Sequence, residues 1–388
     1  MDFALSEDQL AIRDAIRELC SKFPGSYWRD LEERREYPSE FVDTLTSLGW
    51  LSILIPTEYG GGGLGVTEAA IVLEEIHRSG GNANACHAQM YTMGALLRHG
   101  SEEQKRRYLP EIAAGRLRLQ AFGVTEPDAG SDTTRISTRA ERRGDTYVIS
   151  GQKVFISRVD QSDLMLLLAR TTPLKDVEQR TDGLSLFLVD LREARRAGTI
   201  ETHRIPVMFN HHTYQVFLSD LEVPAENLIG AEGQGFRLII DGWNAERCLI
   251  ASEAIGDGRF LVERASEYAS RRVVFGRPVG ANQGVAFPLA QAFAALEAAS
   301  LLRFKATTLF DAGAPAGIEA NAAKLLASQA SVQAANAAML AFGGNGFATE
   351  YDVERKYRET KLLEIAPVNN NLVLAFLAQR ALGLPRSY

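Results

Sequence analysis

Cysteine is scarce: Cys20, Cys86 and Cys248 are the only three in 388 residues. Their number is odd and no CxxC spacing occurs, which argues against a disulfide scaffold or a cysteine-built zinc site and fits a reducing cytoplasm. A long basic run is also missing. Charges of both signs are mixed along the chain, with a net charge of -7, so nucleic acid is not an expected partner. No apolar stretch reads as long enough to span a bilayer. Residues 1–5 lack the basic and apolar regions of a signal peptide, and a soluble cytoplasmic protein is the expectation. The glycine run at 60–63 is not followed by GK[ST], no GxGxxG follows a strand, and βα units do not alternate. Neither a P-loop nor a Rossmann nucleotide site is therefore expected.

What is present divides the chain by period. Hydrophobic content is 46%, enough for a large core in two or three domains. Ser6 and Gln9 form a capping-box pattern ahead of Leu10, Ile12, Ile16 and Leu19, which recur at helical spacing. Further amphipathic runs cover 41–48, 67–76 and 88–97, and the glycines at 60–63 read as a loop needing positive φ. The middle changes to short segments rich in apolar and β-branched residues, at 164–169, 184–190 and 214–218. Residues 147–152 and 153–156 read as two neighbouring strands with a turn at Ser150-Gly151. From Gly235 the chain is helical again, with alanine-rich stretches at 290–299 and 320–341 suited to close helix packing. The expected fold is mainly α with a central β domain: helices over 1–118, a small antiparallel β domain over 119–229, and a helical domain over 230–388.

Three segments have the composition of ligand-binding loops. Residues 122–132 are dense in glycine and small hydroxylated residues, which expose N–H and O–H donors; an ordinary polar connection would read the same. Arg271, Arg272, Phe275, Gly276 and Arg277, followed by Gln283, suit a pyrophosphate and a stacked ring, or else a solvated helix end. Gly343, Gly344 and Gly346, followed by Glu350, Arg355 and Glu359, allow close backbone approach, as does any tight helix–helix turn. His211 and His212 are adjacent. Neighbours on a strand point to opposite faces, so a shared metal is not expected.

In order and spacing, six blocks resemble the acyl-CoA dehydrogenase family over nearly the whole chain. They are SEDQLAIRDAIREL, GSEEQKRRYLPEIAAG, VTEPDAGSD, GQKVFIS, RRVVFGRP and GGNGFATEYDVERKYRETK. The resemblance implies a helical domain, a β-barrel-like middle domain and a C-terminal four-helix bundle. It further implies FAD, a homotetramer or dimer, and an electron-transferring flavoprotein as oxidant. Thr125 and Ser131 match positions touching the flavin ring and pyrophosphate, Ser131 also facing substrate. Phe155 and Ser157 stand where the family has a flavin-stacking tryptophan and a threonine near the flavin N5. Arg272, Phe275 and Gln283 match residues that reach a neighbouring subunit's FAD, and Gly343, Gly344 and Gly346 match the loop over its adenosine half. Asn369 and Asn371 fall on the loop meeting the flavin from the other side. Leu340 replaces a usual glutamine, and Arg135 replaces a small residue.

By the same resemblance, the reaction needs a carboxylate to take the α-proton while the β-hydrogen leaves as hydride. Many relatives carry that glutamate on a late loop. Here Pro367 holds the position and cannot accept a proton. A minority of the family place the glutamate on a helix, before an arginine, and Glu246 with Arg247 match that pattern. Independently, the helical neighbours of Glu246 on one face are Gly242, Trp243, Leu249 and Ile250, none of them a cation. A carboxylate there is desolvated and its pKa rises; alternatively, a surface glutamate lays its stem on Trp243. Arg247 is expected at the substrate's pantetheine arm or in a buried ion pair, and Glu364 is the fallback base. An enoyl-CoA reductase, a flavin monooxygenase or a non-catalytic FAD-binding relative are the competing readings.

Overall fold

The computed structural model describes residues 4–386; residues 1–3, on which the signal-peptide reading partly rests, lie outside the described residues. Six helices come first: α1 (Glu7–Ser21), α2 (Gly25–Arg34), α3 (Ser39–Ser47), α4 (Val66–Arg78), α5 (Ala88–His99) and α6 (Glu102–Ala113). The cap at Ser6 is reciprocal, Gln9 N–H donating to Ser6 Oγ at 3.2 Å and Ser6 N–H to Gln9 Oε1 at 3.2 Å, which satisfies two of the free N–H groups at the helix start. In the glycine run, Gly60 and Gly63 have φ of 84° and 63°, while Gly61 and Gly62 do not need the left-handed region.

The middle region carries β1 (Leu119–Gly123), β2 (Arg139–Arg143), β3 (Thr146–Ser157), β4 (Leu164–Arg170) and β5 (Leu184–Asp190). Helix α7 (Leu191–Ala197), β6 (Ile200–Arg204), β7 (Thr213–Pro224) and β8 (Leu228–Ile229) complete it. They form one sheet in the order β6-β7-β3-β2-β4-β5-β8, with β1 on β4. Two expectations need correction. The sheet is mixed, since β1 runs parallel to β4 and β2 meets β4 in parallel at Arg139; the long crossover through β2 and β3 lets β4 return in the direction of β1. Residues 146–157 are one strand instead of two. At Ser150-Gly151 the register against β7 shifts, so the predicted turn is a bulge. Glycine is required there because a Cβ would lie 2.5 Å from Thr138 Oγ1.

The last region holds α8 (Gly235–Arg271), the short hairpin β9 (Val273–Val274) and β10 (Arg277–Pro278), then α9 (Gln283–Asp311), α10 (Gly317–Phe342), α11 (Val353–Leu362) and α12 (Asn370–Arg380). Helix α8 is the axis of the molecule. It packs on α4, α5, α9 and α10, and every residue from 245 to 258 is buried. Close approach depends on small residues: a Cβ at Gly256 would stand 2.3 Å from the Glu74 carbonyl oxygen, and one at Gly258 2.4 Å from Leu296. The expectation of no apolar segment of membrane-spanning length fails for α9, which qualifies by length and composition alone. One face of α9 packs on α8 and α10, while Phe287, Phe293 and Leu301 stand exposed on the other.

Candidate active site

Glu246 sits in the buried middle of α8 and is only 6% exposed. A helix surrounded on all sides has no solvated face, so its carboxylate has nowhere to turn. No hydrogen bond or ion pair reaches it among the described residues. Burial pushes its pKa up from 4.5 to about 7, and a Glu253 charge adds to the rise, while Arg247 and Arg158 oppose it. Its burial excludes a surface glutamate lying on Trp243. Arg247 itself stacks on Trp243, its guanidinium carbon 5.7 Å from the ring centroid. Its Nε has no hydrogen-bond partner and it makes no ion pair among the described residues, so the buried ion pair considered for it is not formed. One turn before Glu246, a Cβ at Gly242 would stand 3.4 Å from Arg98 Nη2.

The fallback candidates are placed elsewhere. Pro367 is exposed. Glu364 pairs with Lys361 at 2.9 Å in a partly exposed position, an ordinary surface ion pair.

The segment 124–132 is held from beneath by a buried pair. Lys153 Nζ lies 2.9 Å from Glu126 Oε1 and donates to the Val124 carbonyl at 3.1 Å. Glu126 also accepts from the N–H groups of Ser137 and Thr138 at 2.7 and 2.9 Å. Burial pushes the Glu126 pKa up, but the Lys153 charge and these bonds outweigh it and hold the group at about 2. Thr125 is half-buried in this segment, its carbonyl accepting from Val154 N–H at 2.9 Å. Ser131 is exposed and its Oγ accepts from Asn369 Nδ2 at 2.9 Å, so residues 238 positions apart meet. Asn369 also caps α12, accepting from Leu372 N–H at 3.0 Å, and Asn371 is exposed in the first turn of that helix.

Phe155 is 61% exposed with φ of 57°. A bulky residue in the left-handed region is strained by roughly 1–3 kcal/mol, and this chain alone supplies nothing to cover its ring. The strain arises at a second register shift of β3, between Lys153 and Ile156. Phe275, at the tip of the β9–β10 hairpin, repeats the pattern with φ of 52° and full exposure. Two strained, uncovered aromatic rings flanked by hydroxyls or arginines fit a planar ligand with a polar tail. Arg272 and Gln283 are exposed, as are Gly343 and Gly344, whose missing side chains would meet nothing within 4 Å. Gly346 is buried against Met339, at 3.2 Å for a Cβ. No hydrogen bond or ion pair joins this second group to Thr125, Ser131, Phe155 or Ser157 among the described residues. Leu340 and Arg135 are both exposed.

Sequence reading missed several polar neighbours. Ser157 Oγ is 2.7 Å from His211 Nε2, and burial together with Arg158 holds His211 neutral, well below its ordinary pKa. Arg158 is buried, donates to the carbonyls of Asn84 and Gln120, and acts electrostatically on Glu246, Tyr91, His87 and Glu253. One signal was available: Glu253 follows Glu246 by seven residues on the same apolar face of one helix. A narrow cleft lined by Arg158, His211, His212, Arg355 and Glu359 includes neither Glu246 nor Tyr91 in its lining.

Comparison with known proteins agrees along the length of the chain. Family models described as Acyl-CoA dehydrogenase N-terminal, middle and C-terminal domains match residues 6–116, 121–220 and 233–382. Acyl-CoA dehydrogenase fadE12 of Mycobacterium tuberculosis is 38% identical over all of this chain and 99% of its own. A glutaryl-coenzyme A dehydrogenase solved with glutaryl-CoA superposes with a TM-score of 0.91 at 30% identity, covering 100% of this chain and 98% of that one. The FAD complex of PigA superposes with a TM-score of 0.91 at 25% identity over 99% and 100% of the two chains. By its three domains and its relatives, the chain belongs to the acyl-CoA dehydrogenase family of flavoprotein oxidoreductases.

Proposed function

We propose that this enzyme binds FAD and desaturates an acyl-CoA thioester between its α and β carbons, with Glu246 as the base. One observation carries the reading. Glu246 is buried in mid-helix, free of any ion pair, and held near neutral pKa, where a group can accept a proton from a weak carbon acid and release it again. Pro367 removes the alternative position. FAD, when bound, supplies the hydride acceptor. The residues that would hold it fall in two sets. Thr125, Ser131, Phe155, Ser157, Asn369 and Asn371 meet the flavin end within one subunit. Arg272, Phe275, Gln283, Gly343, Gly344 and Gly346 hold the pyrophosphate and adenosine of a neighbouring subunit's cofactor.

The assignment to a neighbour explains why the second set is exposed and unconnected to the first. It also explains the apolar outer face of α9, which an oligomer covers. Arg247 and Ser131 line the thioester's path. Lys153 and Glu126 keep the hydroxyl-bearing segment rigid, and the positive charge of Arg158 favours the enolate-like charge that develops as the proton leaves. Electrons pass on to an electron-transferring flavoprotein.

Anaerobic titration of the purified protein with a panel of acyl-CoA esters tests this. At least one ester bleaches the flavin absorbance, and the bleached enzyme regains colour with an electron-transferring flavoprotein. Absence of bleaching by short, long, branched and cyclic esters alike would overturn the reading.

A further inference from the structure

His211 and His212 are adjacent in sequence but take separate partners in the fold. His212 Nδ1 is 3.5 Å from Gln161 Nε2 and 3.4 Å from the Tyr214 hydroxyl, and its ring packs edge to face on Tyr37 at 5.8 Å. His211 goes to Ser157, its Nε2 2.7 Å from Ser157 Oγ. The sheet builds this contact. Ser157 closes β3 and pairs with Thr213, which opens β7. Just ahead of Thr213 the backbone is pinned twice, by Arg158 N–H donating to the His212 carbonyl at 2.7 Å and by His211 N–H donating to the Phe209 carbonyl at 2.8 Å. The His211 ring also lies 5.5 Å from the ring of buried Phe209. The imidazole is therefore held over the end of β3, where nothing in the reaction scheme above has yet used it.

We propose that His211 is a positioning residue: it takes the Ser157 hydroxyl hydrogen bond, so that Ser157 turns an oxygen lone pair, and not its O–H, toward the bound flavin. The proposal rests on the assignment of Ser157 to the flavin end of the FAD site. Two acceptors lie within reach of the Ser157 hydroxyl, His211 Nε2 at 2.7 Å and Thr213 Oγ1 at 3.5 Å. The first has the usual length of a bond from an O–H donor, about 2.7–2.8 Å, and the second is too long to compete. A serine hydroxyl on its own samples three staggered directions; the fixed imidazole selects one. To accept at Nε2 the ring must be neutral and carry its proton on Nδ1. Burial first, and then the Arg158 charge, keep His211 neutral, and His87, His212 and Arg204 act in the same direction.

The choice of lone pair over O–H has a consequence for the cofactor. The flavin nitrogen that receives hydride is bare when oxidised and carries an N–H when reduced. A serine lone pair accepts from that N–H and repels the bare nitrogen; a serine O–H does the reverse. By holding the hydroxyl back, His211 makes this site prefer reduced FAD and raises the reduction potential of the bound flavin.

The test measures the reduction potential of the FAD-loaded protein by anaerobic equilibration with a reference dye. No acyl-CoA is added, so the result does not depend on the dehydrogenase reaction. His211→Phe keeps a planar ring and removes the acceptor. The freed Ser157 hydroxyl then donates to the oxidised cofactor, and the ratio of affinities for reduced and oxidised FAD falls about tenfold, a drop of about 30 mV for a two-electron couple. His211→Asn, polar but too short to reach Ser157 Oγ, gives the same drop and serves if the phenylalanine variant does not fold. Because the effect runs through one hydroxyl, neither substitution moves the potential further in a Ser157→Ala background. A merely structural role lowers the melting temperature without that dependence on Ser157. An unchanged potential in a His211 variant that retains FAD overturns the inference, and so does a drop of the same size in the Ser157→Ala background. A native protein that takes up no FAD overturns the assignment of the site itself, a failure seen in the absorbance spectrum before any potential is measured.

Discussion

Replacing Glu246 by glutamine keeps the size of the side chain and removes its ability to take a proton. The rise from 4.5 to about 7 corresponds to roughly 3 kcal/mol, each tenfold in proton affinity being about 1.4 kcal/mol. The sign follows from linkage. Below about pH 4.5 both folded and unfolded chains hold this proton. Between 4.5 and 7 the folded chain keeps it and the unfolded chain has lost it, so rising pH favours unfolding; above about 7 the whole penalty is present. Glutamine carries no such penalty. Glu246→Gln is therefore more stable than the native enzyme at about pH 8.5, by up to roughly 3 kcal/mol, and no more stable near pH 4.5. It also loses bleaching by acyl-CoA by about 10²- to 10⁴-fold, the usual contribution of a positioned base. The native bleaching rate rises with pH and is half-maximal near 7. Urea denaturation at the two pH values and stopped-flow bleaching read both effects. A glutamine variant that bleaches at the native rate, or a native rate that is flat across neutrality, refutes the reasoning.

Other outcomes follow from the buried charges and close approaches. Lys153→Met leaves Glu126 buried without its cation, which costs about 3–5 kcal/mol and lowers the melting temperature and the flavin retained after gel filtration. Because Glu126 is held at about 2 against 4.5, its contribution to native stability is present above pH 4.5 and fades as pH falls toward 2, a loss that acid titration of melting temperature detects. Lys356→Met breaks the contacts to Asp257 at 2.7 Å and Glu359 at 2.9 Å and destabilises by about 3–5 kcal/mol in thermal melts. Gly256→Ala pushes a methyl against the Glu74 carbonyl and costs about 1–3 kcal/mol, seen as a lower melting temperature. Phe275→Asp charges the most exposed aromatic on the hairpin; sedimentation shows a smaller assembly, and the protein is isolated with less flavin.

The parts of the fold legible in sequence are those decided by neighbours within a few residues. The Ser6–Gln9 cap and the helical face of Glu246 each depend on one turn. Ser150-Gly151 misled because the same dipeptide serves a hairpin turn and a bulge, and the choice belongs to β7 and Thr138, which are distant in sequence. The parallel pairing of β1 with β4 likewise depends on the path of the chain between them. His211 was weighed only against a metal, although its partner is Ser157, 54 residues earlier. The resemblance matches Phe155 to a flavin-stacking position and Phe275 to one reaching a neighbour's FAD; their left-handed backbone is a property of the folded chain.

The sequence alone determined that a carboxylate would stand on an apolar stretch of helix, because periodicity and neighbour identity are local. It could not determine that carboxylate's proton affinity. Desolvation is set by α5, α9 and α10 closing around α8, and the charges of Arg158 and Glu253 arrive from folding and from two turns away. Nor could it pair His87 with Glu253 across 166 residues. Burial and long-range electrostatics exist only once distant segments are packed, and those two effects raise the proton affinity of Glu246.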